Sequence, residues 1–393
     1  MAKQKLKRVD LIFSKDCSCK DILAKALKRP KEEIVKDLIN SGLKGRGGAG
    51  FPTGLKWKMA MEEKGSKKYV ICNADEGEPG TFKDREILDQ VGLKVLGGMA
   101  LASYVTDARE GFIYLRHEYR FLIPKLEMML EKFHIWMEEF DIDFHVELFM
   151  GSGAYVCGEE TSLIESMEGK RGEPRNKPPY PTNQGYLGKP TVVNNVETLV
   201  YTLMIMHIGS DKFKSMGFEG STGSKLFSIS GDTPKPGIYE LELGMTLHQF
   251  VSEFGDNDAK AVQVGGASGF CVPRKRFKET HIGYQGGLKG FSLPTGGSMM
   301  IFNSSRSMYN VLHNYLEFFE EESCGQCTPC RVGCQQLLKG IEAVKRGEKS
   351  QKYLDDLLRL AETMKLTAKC GLGQSVGNSF SSIVENFREE MIY

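Results

Sequence analysis

Tyr69-Val70-Ile71-Cys72-Asn73, followed closely by the turn-forming Asp75-Glu76-Gly77-Glu78-Pro79-Gly80, reads as a buried strand that ends abruptly in a loop. The pattern returns twice. Residues 86–106 read as a helix leading to a second strand at 111–115, and residues 124–140 as a helix leading to a third at 145–149, stopped by Gly151. Strand and helix in alternation predict an α/β unit with a parallel sheet and helical crossovers.

Working outward, Ile22, Leu23, Ala26, Leu27, Ile34, Val35, Leu38 and Ile39 recur at three- and four-residue spacing, which predicts helix over 17–42. A glycine-rich loop at 45–50 follows it. Downstream, residues 171–181 are proline-rich and basic, a fixed surface loop, and 209–224 turn to Gly and Ser, a boundary. Short strands and dense glycines over 225–303 predict a small β-rich domain. From Ser307 onward helical spacing returns through Leu316, Leu337, Leu338, Ile341, Leu354 and Leu357, predicting a helical bundle.

The chain has 393 residues, enough for two or three domains with their own cores. With 52 basic and 51 acidic residues, a net charge of +1 gives no reason to expect nucleic acid or an anionic membrane surface as partner. The longest apolar stretch, 199–208, is half the ~20 residues that span a bilayer, so no membrane insertion is expected. Residues 1–10 are basic but lead into only a short apolar run, so no export signal is read and a cytoplasmic setting is expected, with a complex docked at a membrane as the alternative. The ten cysteines are then reduced thiols or metal ligands.

Three loops could hold a ligand. Gly45-Arg46-Gly47-Gly48-Ala49-Gly50 satisfies G-x-G-x-x-G, but a helix precedes it where the dinucleotide fingerprint needs a strand. An ordinary dinucleotide site is rejected there; amides approaching a phosphate or a flat ring, and a plain turn, both stay open. The acidic loop at 75–78 is either a solvated turn or an acceptor for ribose hydroxyls or a flavin ring N–H. Gly151-Ser152-Gly153-Ala154-Tyr155-Val156-Cys157-Gly158-Glu159-Glu160-Thr161 follows a strand and opens a helix, the geometry in which helix amides bind phosphate.

Cys324-Gly325-Gln326-Cys327-Thr328-Pro329-Cys330 is a C-x-x-C-x-x-C run, and Cys370 supplies a fourth thiolate for an iron–sulfur cluster. Zinc prefers paired C-x-x-C units, and no second pair exists. Cys334 extends the run to ferredoxin spacing, but no second run exists and Gln335 replaces the usual proline, so Cys334 is read as a bystander. Cys17 and Cys19 are read as surface thiols.

In order and spacing, the segment from Gly42 to Trp57, Asn73 to Arg85, Gly153 to Thr161, Val193-Asn194-Asn195-Val196-Glu197-Thr198 and the cysteine run resemble one family. It is the flavin-bearing, NADH-oxidising subunit (the 51 kDa or F subunit) of respiratory complex I, with relatives in NAD-linked hydrogenases and formate dehydrogenases. The resemblance implies a Rossmann-like FMN and NAD domain (1–225), a ubiquitin-like β-grasp domain of SLBB type (226–305) and a helical [4Fe–4S] domain (306–393). It implies that FMN is held by Gly45, Arg46, Gly47, Gly48 and Gly50 of the loop with Lys56, Asn73, Asp75, Tyr155, Gly158, Glu159, Asn194, Asn195 and Thr198. NADH would touch Phe51, Glu78, Glu160, Lys177 and Tyr180, and the cluster would be held by Cys324, Cys327, Cys330 and Cys370. Met59 stands where many relatives carry an aromatic, which implies weaker adenine stacking.

The chemistry implied is hydride transfer between bound cofactors, which needs no catalytic side chain; none of the seven histidines falls in a motif. Glu160 beside an adenosine ribose would accept from a 2′-OH and repel a 2′-phosphate, favouring NAD. Implied partners are a thioredoxin-like [2Fe–2S] subunit and a larger iron–sulfur subunit. With neither a thioredoxin-like nor a ferredoxin extension, the chain is expected to be the minimal core. Two other readings stay open: the flavin subunit of an electron-bifurcating hydrogenase or transhydrogenase, and a non-catalytic iron–sulfur scaffold.

Overall fold

The computed structural model describes residues 6–65, 67–218, 220–284 and 291–392, so 285–290 of the expected β-rich segment lie outside the described residues. Four strands, β1 (Tyr69–Ala74), β2 (Glu110–Leu115), β3 (His145–Met150) and β4 (Thr191–Asn195), form one all-parallel sheet in the order β3-β2-β1-β4. The central strand β1 is buried on both faces almost throughout, as an apolar run in a covered parallel sheet must be. The sequence reading assigned three of these strands and not β4, whose Thr191-Val192-Val193 run is short and ends in two asparagines.

The crossovers follow the expected spacing, with corrections at their ends. Helix expected over 17–42 is two helices, Cys19–Ala26 and Lys31–Ser41. Pro30 separates them, since proline lacks the amide that would continue the ladder and pushes the residue before it out of helical conformation. The second helix ends at Gly42, whose φ of 68° is the left-handed cap that glycine adopts without strain. The helix expected from 86 begins at Lys83, breaks at Val91, whose φ of −137° is not helical, and runs on to Thr106; its second part lies against the helix Val196–Ile208 at backbone distance: a Cβ on Gly98 would be 2.2 Å from the Leu199 carbonyl oxygen.

A second, five-stranded sheet has the order Phe270–Pro273, Ala259–Val264, Ser298–Asn303, Ser224–Gly231, Gly237–Glu242. Only its central pair, Ser298–Asn303 and Ser224–Gly231, is parallel. The helix Leu247–Phe254 buries Leu247, Phe250 and Phe254 against it and starts at a capping box of Thr246 and Gln249. Residues near the amino end lie along the sheet's edge, where the Val9 amide donates to Glu240 O at 3.0 Å.

Four helices follow: Met308–Glu322, Thr328–Lys345, Tyr353–Thr367 and Gly371–Asn386. Their core is continuous with one face of the parallel sheet, because Ile71, Tyr114 and Val193 pack into the same cluster as Phe319, Leu337 and Phe380. The last helix is also tied to the second sheet through Cys271 N donating to Ser382 Oγ, 2.9 Å, and Asn378 Nδ2 donating to Ser268 O, 3.0 Å.

Candidate functional site

An open parallel sheet offers a crevice beyond the carboxyl ends of its strands where the strand order reverses. Here that point lies between β1 and β4. The acidic loop leaves β1, the Gly151–Thr161 loop leaves β3, and the Val196–Ile208 helix leaves β4, so all three motifs reach one edge. The 45–50 loop lies against them: a Cβ on Gly47 would be 3.1 Å from Asn195 Cβ.

Two adjoining clefts open there. The larger, about 810 Å³, is lined by Gly45, Gly47, Gly50, Phe51, Lys56, Asn73, Gly158, Glu159, Glu160, Lys177, Tyr180, Asn194, Asn195 and Thr198, with Met59 also in its wall. The smaller, about 420 Å³, shares Gly47, Asn73, Gly158, Glu159 and Asn195 and adds Gly48, Asp75, Glu78 and Tyr155. Eighteen of the nineteen residues assigned to cofactors in the sequence therefore meet here. Arg46 is the exception. Its side chain is fully buried on the far side of the loop, donating to the carbonyls of Lys44, Thr222 and Ser224 at 2.9–3.2 Å, so only its backbone borders the site. Glu78 stands in the smaller cleft, apart from Phe51, Glu160, Lys177 and Tyr180, with which the sequence reading had grouped it.

At the larger cleft Lys56 Nζ lies 2.9 Å from Glu160 and 3.0 Å from Val193 O, and Lys177 Nζ lies 2.8 Å from Glu159 and 3.2 Å from Glu160. Burial opposes the charge of Glu160, but Lys56 and Lys177 outweigh it and hold the carboxyl below its usual range. The other oxygen of Glu159 accepts from the amides of Thr161 and Ser162, so this residue caps the helix Glu160–Met167 and fixes the position of Glu160. Phe51 and Tyr180 stay about half exposed at the mouth, at 47% and 49%.

The smaller cleft is acidic. Asn73 Nδ2 donates to Gly158 O at 2.8 Å, and its Oδ1 accepts from the Asp75 amide at 3.1 Å. Asp75 Oδ2 is buried with no partner among the described residues, and burial raises that carboxyl to about 7. Glu78 accepts from Tyr155 OH at 2.7 Å and from Ser268 Oγ at 2.6 Å. The Gly47 amide, which has no acceptor among the described residues, and the orphaned Asp75 oxygen suit a ligand with phosphate or carbonyl acceptors and a ring N–H. FMN carries both.

Cys324, Cys327, Cys330 and Cys370 line one small cavity with Val156 and Leu372. Cys327 caps the helix Thr328–Lys345 and Cys370 caps the helix Gly371–Asn386, so two positive helix ends face the four sulfurs, a setting that favours an anionic cluster. Gly373 allows the close packing, since a Cβ there would be 3.0 Å from Cys330 Cβ. Cys334 is buried one helical turn from Cys330, with 3.9 Å between the sulfurs, and is not among the residues lining this cavity. Among the described residues no three His, Cys, Asp or Glu side chains close on a single ion; a cluster spreads its ligands over the corners of a cage. Cys17 and Cys19, read as surface thiols, are half-buried; the Cys19 sulfur lies 3.1 Å from Leu93 O, and desolvation lifts its pKa to about 12.

Sequence reasoning missed a buried ionic network behind the site. Lys83 contacts Asp84 at 2.6 Å and Glu197 at 3.0 Å; Lys225 reaches Glu197 at 3.0 Å and Arg46 O at 2.7 Å. Asn195 joins it, donating to Asp84 at 2.6 Å. Burial depresses Lys225 to about 7 against the pull of Glu197, whereas Asp84 and Glu197 together outweigh burial at Lys83 and raise it. One signal was present: Lys83 opens a helix, where the macrodipole disfavours a cation unless a carboxylate partners it.

The Nuo51 FMN-binding domain family matches residues 38–202, and the NADH-ubiquinone oxidoreductase-F iron-sulfur binding region family matches residues 310–393. The chain is 43% identical over 377 residues to the NAD-reducing hydrogenase HoxS subunit alpha of Cupriavidus necator, covering 94% of this chain and 62% of that one. It is 39% identical over 379 residues to the F subunit of the NADH-quinone oxidoreductase of Aquifex aeolicus, covering 94% and 87%. A crystal structure of an NAD+-reducing [NiFe]-hydrogenase in the H2-reduced state superposes with a TM-score of 0.90 at 38% identity, over 98% of this chain and 66% of that one. Among the described residues no helix is long and apolar enough to cross a membrane. The relatives are subunits of multi-subunit complexes, and the chain belongs to their family, the flavin-bearing NADH-oxidising subunits, oxidoreductases that use NAD, FMN and a [4Fe–4S] cluster.

Proposed function

We propose that FMN occupies the floor shared by the two clefts, that NAD(H) enters through the larger, and that the cluster held by Cys324, Cys327, Cys330 and Cys370 is the electron exit. One observation carries this reading: Val156 and Leu372 stand in the wall of both the smaller cleft and the cysteine cavity, so a single layer of side chains separates them. FMN, when bound, takes hydride from NADH and passes electrons on singly, a conversion no side chain has to perform. The chain's own groups orient and exclude. Tyr155 holds the two sites in register, its hydroxyl on Glu78 and its amide on Glu322, 2.9 Å, at the end of the helix before Cys324. Glu160, held charged by Lys56 and Lys177, selects against a 2′-phosphate.

The division at about 225 and 305 is part of this reading, supported by the separate second sheet and the helical run after it. We assign the partners as a thioredoxin-like [2Fe–2S] subunit and a larger iron–sulfur subunit, in a cytoplasmic complex. The 43% identity to one chain of an NAD-reducing hydrogenase favours a hydrogen-linked parent complex. The test is full-length protein reconstituted with FMN, iron and sulfide. NADH should bleach the flavin and drive ferricyanide reduction; flavin that binds but resists NADH, or an absence of flavin binding, refutes the proposal and leaves an iron–sulfur scaffold. Isolating the native complex and identifying its subunits settles the parent.

A further inference from the structure

The β-rich segment lines the smaller cleft directly, through Ser268, Phe270 and Thr295 among others, and together with the strand Ser224–Gly231 it also grips the glycine loop at two consecutive carbonyls. Tyr284 OH donates to Gly45 O at 2.7 Å, and Lys225 Nζ donates to Arg46 O at 2.7 Å. Both gripping groups are buried, Tyr284 to 7% exposure and Lys225 to 1%. The Arg46 guanidinium pulls in the same direction, onto the carbonyls of Thr222 and Ser224 at the start of the strand Ser224–Gly231. Gly50 completes the contact, because at its φ of 68° a Cβ would lie 2.5 Å from Tyr284 Cε1.

In a trans peptide the N–H points opposite to the C=O. A carbonyl held on one side of the loop therefore aims the next residue's amide to the other side. The first peptide behaves this way: with Gly45 O on Tyr284, the Arg46 amide donates to Thr198 Oγ1 at 2.9 Å, in the cleft wall. By the same geometry Lys225, holding Arg46 O, turns the Gly47 amide toward the clefts. Gly47 lines both of them, and its amide has no acceptor among the described residues.

We propose that Lys225 and Tyr284 are positioning residues for flavin binding: from the strand Ser224–Gly231 and from later in the β-rich segment they set the peptide planes of the 45–50 loop so that the Gly47 amide is presented to FMN as a fixed donor. This rests on the assignment of FMN to the cleft. It gives the second sheet and its neighbouring loops a role in flavin binding beyond the wall they contribute to the smaller cleft. Glu197 serves the same end, since it accepts from Lys225 and from the Leu226 amide and so anchors the strand to the helix bearing Thr198.

The test is FMN titration of the flavin-free full-length chain by quenching of flavin fluorescence, with three variants. Tyr284→Phe removes one hydroxyl and leaves the ring in place; Lys225→Met removes the ammonium and keeps most of the length. The third, Ile229→Val, loosens the second sheet's core, where Ile229 is 0% exposed, without touching the loop. Loss of one hydrogen bond predicts an FMN dissociation constant raised about five-fold in Tyr284→Phe. Lys225→Met, which also disturbs the Glu197 pair, should raise it more than about ten-fold. Ile229→Val should stay within about two-fold of wild type while lowering the unfolding midpoint. Unchanged affinity in Tyr284→Phe overturns the inference, as does an equal loss in all three variants, which would assign the effect to domain stability. Wild type that binds no FMN would instead sink the cleft assignment itself, and with it this inference.

Discussion

Gly98→Ala sets two effects against each other. In the interior of the helix Lys83–Thr106, alanine should gain about 1 kcal/mol over glycine in helix propensity. Its methyl carbon, however, would stand 2.2 Å from the Leu199 carbonyl oxygen and 2.6 Å from the carbonyl carbon. Non-bonded atoms are comfortable near ~3.5 Å, so the two helices must part by roughly 1 Å. Overpacking costs about 1–3 kcal/mol, and backbone cannot swing aside as a side chain can. The clash should win, with a net loss of about 2 kcal/mol. The displaced helix carries Thr198 in its first turn and Asn195 as its cap, so the cleft moves with it. A misplacement near ~1 Å can lower a rate on the order of 100-fold, so NADH-driven ferricyanide reduction should collapse even in protein that remains folded.

The assay is urea unfolding followed by tryptophan fluorescence, since Trp57 and Trp136 are both buried in this part of the molecule. Gly92→Ala, beside the break at Val91, is the control: its methyl meets the movable Met129 Sδ, at 2.6 Å, instead of backbone, and should be nearly neutral. If Gly98→Ala leaves the midpoint at or above that of wild type and keeps full activity, the packing argument is wrong.

Other outcomes follow from the site. Cys370→Ala should abolish or convert the cluster while Cys334→Ala leaves its EPR spectrum intact, and the reverse result reassigns the fourth ligand. Glu160→Gln leaves Lys56 without its carboxylate, so the kcat/KM ratio of NADPH to NADH should rise roughly ten-fold, about 1.4 kcal/mol of discrimination; an unchanged ratio removes Glu160 from specificity. Asp75 has its pKa raised from 3.8 to about 7, so the folded flavin-free chain holds a proton that the unfolded chain has released. Its contribution therefore falls as pH climbs from about 4 to 7 and is level above that. Asp75→Asn should be more stable than wild type at pH 8 by on the order of 2 kcal/mol, nearly equal to it at about pH 4, and weaker in FMN binding. Equal stabilities at pH 8 would show that the carboxylate is not penalised.

How much was legible in the sequence depended on how local the cause was. β1, β2 and β3 announce themselves because a strand buried on both faces must be a continuous apolar run, and the cysteine run because a cluster needs thiolates from one tight loop. Tyr155, Asn73 and the glycine loop could be named from motif order alone. The break at Pro30 was also local, and its signal was passed over in favour of the spacing on either side.

What tertiary structure decided is where distant segments meet. Nothing near Lys225 in the chain says that its ammonium lies on Arg46 O, and nothing near Arg46 says that its guanidinium turns away from the ligand to three carbonyls. Val156 and Leu372 are ordinary apolar residues until the fold makes them the partition between the smaller cleft and the cysteine cavity. Ligand chemistry is written in residue type and short spacing, because donors and acceptors must be of the right kind and close along the chain. The aim of a peptide plane, the pairing of a buried charge and the thickness of a wall are set by chain segments as much as 239 residues apart packing into one volume, and only folding brings those together.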